Sequence, residues 1–423
     1  MTSRISFYKL LKEDIKKRVW MFLMFITLFV VIIPISTMIQ YEGQLAYSTA
    51  KEIQIWFQHD IMGLGDVKMS PLIVMGAIIS GITSFSHLHS KKQLDFYNSL
   101  PVRREKWFAV TYVSSLLQIM APYVLGYILH MIMGAVNRIA VPEVFGSALL
   151  IIGANILFFL LIYAVTSIAI ILTGKSITGL LGVCVLMFYG PTVIALKEYI
   201  MLQAYETYMT TGAMYGFMGN IYGKRAMTAS PIMAYCVIAD KYGQGDSITT
   251  SIIISVIAVL AASAAALILY KFRPAEGAGK AMAFKKSEPV IKFLAAVTAG
   301  LLFGVTVSSQ NNTQGEMSTG WLFFISILAV IIVCAVIEFI YSMDVKMIFK
   351  KKISLGAALL LTAAICAVIR FDLTGYNSYL PKKEEIEAMS IDTYSLNGIS
   401  PYGGYWWDGE RYKDVLAKRK VQD

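Results

Sequence analysis

Long apolar runs separated by short polar segments make up most of the chain. A helix needs about 20 mainly apolar residues to cross the ~30 Å hydrocarbon core of a bilayer, where it satisfies its own backbone hydrogen bonds. Nine runs reach or approach that length. We therefore predict an all-α fold, a polytopic transmembrane helical bundle of about nine spans: Trp20–Ile39, Pro71–His87, Phe108–Val136, Phe145–Thr173, Ile177–Leu196, Ser251–Tyr270, Val290–Val307, Trp321–Ser342 and Ile353–Ile369.

The composition agrees with a membrane protein. Hydrophobic residues make up 57% of the 423 residues and charged residues 15%, against roughly 45–50% apolar residues in soluble domains. The four cysteines are scattered without the spacing of a metal or redox site, so we expect them to act as small packing residues: Cys184, Cys236, Cys334 and Cys366.

The net charge of +10 follows the predicted topology. With the amino terminus in the cytoplasm, the inside segments carry 22 lysines and arginines, the outside loops 7, and the carboxyl-terminal tail the remaining 8. Short cytoplasmic loops are enriched in these residues. We therefore predict a cytoplasmic amino terminus and an extracellular carboxyl terminus, and we expect no nucleic-acid partner.

Changes in polarity divide the chain into five parts. Residues 1–19 form a cytoplasmic amphipathic segment, and residues 20–271 a six-span core. Residues 272–289, broken by a proline, are expected to be a cytoplasmic linker. Residues 290–369 hold three additional spans, and residues 370–423 form a small extracellular tail.

The amino-terminal segment has the pattern of an amphipathic helix. Phe7, Leu10, Leu11 and Ile15 recur at helical spacing among lysines. Such a helix lies along the inner leaflet before the first span. The alternative is a basic flank that only orients the first span.

The inside loop from His89 to Phe108 alternates apolar and charged residues. Its apolar members are Leu94, Phe96, Tyr97 and Leu100, followed by Pro101 and the basic residues Arg103 and Arg104. Proline restricts its own φ and the residue before it, which ends a short helix in a turn. Apolar contacts surrounded by charges are typical of a docking element; the alternative is an ordinary basic hairpin loop.

The segment LDFYNSLPVRREKWF after a second span, with an amphipathic helix before the first, resembles the permease subunits of ABC exporters. The class of these permeases that the chain resembles provides drug, bacitracin and lantibiotic resistance. Its Gram-positive members have further spans beyond a six-span core. The resemblance covers roughly Ser6–Tyr270, and the last three spans and the tail match in general layout.

This resemblance implies roles for several segments. The loop containing Leu94 to Arg104 would be the coupling helix that docks on ABC ATPase subunits, and residues 1–19 would be the connecting helix. The long outside segment, 197–250, would form re-entrant helices. It further implies a homodimer or a heterodimer with a sister permease, a bacterial cytoplasmic membrane, and export of an amphipathic antibiotic, peptide or lipid-like compound.

The chain lacks a recognisable energy source of its own. The fragment Gly174-Lys175-Ser176 resembles the end of a P-loop, but Ala169 stands where the motif needs its first glycine, and the fragment follows an apolar span. The sequence also has no HExxH or Gly-x-Ser-x-Gly motif. We therefore expect a non-catalytic subunit without cofactor or metal, with ATP and magnesium bound by the partner.

Two other functions stay open. An ion-coupled secondary transporter would need acids near the middle of several spans, and the sequence offers only Glu338 near the inner end of the eighth span. We expect Glu338 to pair with a loop lysine or to reach the membrane surface. A membrane sensor whose extracellular tail binds a ligand is the third possibility.

Overall fold

The computed structural model describes residues 6–59, 64, 69–139, 142–205, 229–285, 287–310, 318–342, 352–377 and 379. Helices form its architecture. Their bounds are α1 Phe7–Lys17, α2 Val19–Ile26, α3 Ile33–Leu45, α4 Ala50–His59, α5 Met69–Phe85, α6 Lys91–Ser99, α7 Arg104–Val136, α8 Pro142–Leu172, α9 Ser176–Ala204, α10 Pro231–Gly243, α11 Thr249–Phe272, α12 Ser287–Gln310, α13 Thr319–Ser342 and α14 Lys352–Arg370. Residues 206–228 of the predicted re-entrant segment and most of the extracellular tail lie outside the described residues.

Nine segments in the described part of the chain are long and apolar enough to span a membrane, which confirms the predicted all-α polytopic bundle. Span 1 combines α2, a π-helical turn at Thr27–Ile32 and α3. Pro34 lies at the start of α3 and has no backbone N–H to donate to the preceding turn, which accounts for the wider turn there. Span 3 packs closely against this π-helical turn at Gly126. A Cβ on Gly126 would lie only 2.3 Å from the carbonyl oxygen of Phe29.

Span 4, within α8, is the centre of the six-span core. It packs against spans 2, 5 and 6, and 56% of its most apolar window is buried, against 17% for span 6. Small side chains permit the closest of these contacts, as where a Cβ on Gly81 of span 2 would lie 2.5 Å from the Cγ2 of Thr166. Spans 5 and 6 therefore lie at the periphery of the core.

Spans 7, 8 and 9 pack on one another and form a second apolar cluster. The cluster includes Leu322, Val330 and Cys366, and it is extended by Leu196 near the end of span 5. Span 5 also joins the two groups through the hydroxyl of Tyr189, 3.1 Å from that of Thr298. The three additional spans thus have a core of their own.

Candidate functional site

The predicted coupling helix is α6, a short helix on the face that the charge distribution assigns to the cytoplasm. Ser90 precedes it in extended conformation. It ends at Ser99 because Leu100, restricted by the following Pro101, has extended backbone angles of φ −72° and ψ 138°. The helix has two distinct sides, with Leu94 buried and the Phe96 side chain 61% exposed.

Tyr97 turns towards the membrane helices. Its ring centre lies 4.5 Å from that of His87 and 5.0 Å from that of Trp107. Lys17, at the end of α1, donates a hydrogen bond to its hydroxyl. Of the apolar residues predicted to contact an ATPase, Phe96 is therefore free to do so, whereas Tyr97 and Leu94 fix α6 to the protein and Leu100 is half-buried.

The two arginines predicted to surround the apolar contact, Arg103 and Arg104, also differ in their hydrogen bonds. Pro101, Arg103 and Arg104 are exposed. The Nη1 of Arg104 donates to the carbonyl oxygens of Lys271 and Arg273, at 3.2 and 3.0 Å. Arg104 therefore ties the start of span 3 to the end of span 6, whereas the Arg103 side chain has no such hydrogen bond among the described residues.

The amphipathic segment forms helix α1, in agreement with its spacing. Leu10 is buried, Leu11 and Ile15 are half-buried, and the Phe7 side chain is 39% exposed. The buried side packs along span 3. This segment is therefore an ordered helix attached to the bundle, and its contact with lipid stays a prediction.

A buried polar cluster at the junction of α1 and span 1 could not be seen in the sequence. In the sequence Arg18 is only one of several basic residues near the amino terminus. In the structure it is 5% exposed and pairs with Asp14, which is 6% exposed. Its Nη1 donates to Ser84 Oγ at 2.6 Å and Ser115 Oγ at 2.9 Å, and its Nη2 to Ser114 Oγ at 3.1 Å. Spans 2 and 3 are separated from Arg18 by many residues, so only the fold reveals this cluster.

The described part of the predicted linker packs on the turn between spans 4 and 5. Arg273 is 4% exposed and donates to the carbonyls of Leu88 and Thr173 at 3.0 and 2.8 Å. Such cations stabilise the carbonyl ends of helices. Burial lowers the pKa of Arg273 to about 10, so the guanidinium keeps its charge near pH 7.

The P-loop-like fragment belongs to this same contact. Gly174 donates to the Ala281 carbonyl at 3.2 Å and accepts from Gly279 at 2.8 Å. A Cβ on Gly174 would lie 2.0 Å from the Gly277 carbonyl oxygen. The glycine is thus required by close packing of the linker, a structural reason that does not involve nucleotide.

Glu338 forms an ion pair in the additional spans. Its Oε2 lies 2.6 Å from Nζ of Lys292, and both side chains are almost fully buried. The expectation of a loop lysine needs correction, because Lys292 lies inside α12 and is only 2% exposed. The pair joins spans 7 and 8.

A cavity of about 450 Å³ lies behind α6, between that helix and the start of span 3. Its walls come from α6, the turn after it, and the ends of spans 2, 3 and 6. The lining residues are His87, Leu94, Tyr97, Asn98, Leu100, Val102, Arg103, Arg104, Trp107 and Tyr270. The described residues include no group of three or more His, Cys, Asp or Glu that could hold a metal ion.

No family model, curated protein or solved structure matches the chain. The membrane architecture follows from the nine long apolar helical segments of the described residues. The geometry of the face that carries α6 is the basis for assigning a function.

Proposed function

We propose that this multi-pass membrane protein is the permease subunit of an ATP-driven exporter of the ABC type. It would dimerise with itself or a sister permease, the dimer would bind two separate ATPase subunits through α6, and the complex would move an amphipathic antibiotic, peptide or lipid-like compound out of a bacterial cell. Hydrolysis of ATP, with its magnesium, would take place in the partner.

The observation that carries this proposal is the placement of Phe96. A coupling element must offer an apolar side chain to its partner and be rigidly joined to the spans that it moves. Phe96 is exposed on α6, whereas Leu94 and Tyr97 on the opposite side are packed against the membrane helices. An aromatic side chain in such a position is typical of residues that dominate binding energy.

Rigid connections from α6 to several spans support the same function. Tyr97 of α6 contacts α1 through Lys17 and span 3 through Trp107, and Arg104 at the start of span 3 binds the end of span 6. A displacement of α6 would therefore act directly on α1 and span 3, and through span 3 on span 6.

An ion-coupled secondary transporter is the second candidate, favoured by the buried pair of Lys292 and Glu338. A relay of protons or sodium needs a carboxylate that can exchange partners. Glu338 lies at the inner end of span 8 and is paired, which favours a structural role. The sensor function depends on the tail, most of which lies outside the described residues.

Purification in mild detergent tests the proposal. The protein should bring down a subunit with a complete P-loop and ATPase activity, and Phe96→Ala should weaken that association by ~2 kcal/mol or more, about 30-fold. Lys92→Ala, an exposed neighbour on α6, is the matched control and should cost at most ~1 kcal/mol. Ion-driven flux without nucleotide would favour the secondary transporter.

A further inference from the structure

The cavity behind α6 is strongly cationic. Two arginines line it, and no aspartate or glutamate is among its lining residues. The Arg103 side chain is exposed and forms no hydrogen bond or ion pair with the described residues, whereas Nη1 of Arg104 donates to backbone carbonyls. The nearest acid in sequence, Glu105, forms an ion pair with Lys271 at 3.0 Å. Arg103 lies close enough to Glu105 for an electrostatic interaction, but the cavity wall itself carries no carboxylate.

The first turn of α7 adds to this positive potential. The helix has 33 residues, and its N-cap, Arg103, makes no side-chain hydrogen bond to the first turn. The amino-terminal end of a helix carries partial positive charge, and its backbone N–H groups favour an anion. Arg103 and Arg104 place this end at the cavity wall.

Two side chains on the cavity wall, those of buried His87 and half-buried Trp107, each have a buried polar atom without a hydrogen-bond partner among the described residues. His87 is 3% exposed, and its Nδ1 lies 3.2 Å from the Ser84 carbonyl oxygen. A carbonyl can only accept, so in the neutral ring Nδ1 carries the hydrogen and Nε2 is an acceptor. Nε2 has no partner, and neither has the indole N–H of Trp107, a donor. Both atoms belong to residues that line the cavity.

We propose that this cavity binds a phosphate ester that carries free hydroxyl groups. The phosphate would accept hydrogen bonds from Arg103, the amino-terminal turn of α7 and the Trp107 N–H, and a hydroxyl would donate to His87 Nε2. The volume of about 450 Å³ is in the ~300–1,000 Å³ range of small-molecule sites. This site does not depend on the ATPase and goes beyond the proposed export function.

Two sources could supply this chemistry. A glycerol-phosphate headgroup of an anionic lipid would reach the cavity from the inner leaflet, since Trp107 lies in the first turn of a membrane span. A soluble polyol phosphate would enter from the cytoplasm. The chemistry of recognition is the same in both cases.

The test uses the full chain purified in detergent and stripped of lipid, without ATPase. The thermal unfolding midpoint is followed during titration with phosphatidylglycerol, phosphatidylcholine or glycerol 3-phosphate, since a ligand that binds the folded state raises it. Phosphatidylglycerol should raise the midpoint and phosphatidylcholine should not. A rise with glycerol 3-phosphate as well identifies the soluble source, and a rise with the lipid alone identifies the headgroup.

Two variants locate the site. Arg103→Gln, at an exposed position, should weaken the apparent affinity by about tenfold or more, because it removes a charged donor. Trp107→Phe keeps an aromatic ring without the N–H and should also weaken it. Arg138→Gln, at an exposed arginine beyond the other end of α7, should change the affinity less than about twofold. The proposal is overturned if neither phosphate ester raises the midpoint, or if Arg103→Gln and Arg138→Gln have the same effect.

Discussion

Lys17 and Tyr97 are 80 residues apart in the chain, and the Lys17 ammonium donates to the Tyr97 hydroxyl. The same Nζ lies 4.9 Å from the centre of the Tyr97 ring. This contact joins the helix before span 1 to the helix between spans 2 and 3. It gives Tyr97 a structural role that its neighbour Phe96 does not share.

Substitutions of these two adjacent aromatic residues should therefore separate stability from binding. Tyr97→Ala removes the packing on His87 and Trp107 and should lower the free energy of unfolding by ~2 kcal/mol, whereas Tyr97→Phe keeps the ring and should cost ~1 kcal/mol or less. Phe96→Ala should change stability by no more than ~0.5 kcal/mol. Denaturation of the purified chain in detergent measures all three, and equal losses for Phe96→Ala and Tyr97→Ala would contradict the assignment of the two sides of α6.

The buried pair of Asp14 and Arg18 predicts a large asymmetric effect. Arg18→Gln leaves a buried carboxylate without its cation and should destabilise the chain by ~3–5 kcal/mol. Adding Asp14→Asn should recover much of this loss, because it removes the uncompensated charge. Lys16→Gln, at an exposed basic residue of the same helix, is the control and should stay within ~0.5 kcal/mol. Additive losses in the double variant would show that the two side chains act independently.

These residues show what the sequence could predict. Hydropathy alone located all nine spans, since a helix that crosses a bilayer needs a long apolar run, and the position of Pro101 predicted where α6 ends. The sequence could not assign Arg18, because its serine partners lie 66 to 97 residues further along the chain. It could not separate Phe96 from Tyr97 either, since both are aromatic and adjacent, and only the positions of His87, Trp107 and Lys17 decide which one is packed.

The ion pair of Lys292 and Glu338 allows a test between pumping mechanisms. Lys292→Met alone should cost ~3–5 kcal/mol by stranding a buried carboxylate. The double change Lys292→Met, Glu338→Met replaces the pair by apolar side chains and should recover much of that loss. Export should also continue in the double variant if the pair is structural. Loss of ion-dependent transport in a stable double variant would instead assign Glu338 to a relay.

Arg273 should control the protease resistance of the linker. Lys280 is exposed, but the residues after it, Ala281 to Ala283, are buried, so trypsin can cut there only after local opening. Arg273→Ala removes the hydrogen bonds to Leu88 and Thr173 and should make cleavage after Lys280 several-fold faster.

The pH dependence follows from the lowered pKa of Arg273. Because its folded value, about 10, lies below the ordinary value of 12.5, burial of the charge disfavours folding at all pH values below about 10, and this cost diminishes only above it. Wild-type resistance to trypsin should therefore be constant between about pH 7 and about pH 8. A steep change in this interval would show that another group controls the linker.

Docking of an ATPase at α6 can be tested by a photo-crosslink from position 96. A photoreactive phenylalanine analogue replaces Phe96 in intact cells, and a second variant carries it at Tyr47, whose side chain is 93% exposed in the predicted outer loop between spans 1 and 2. We expect a crosslink from position 96 to a P-loop ATPase and none from position 47. A crosslink to that ATPase from position 47, or none from position 96 in a complex that hydrolyses ATP, would contradict docking at α6.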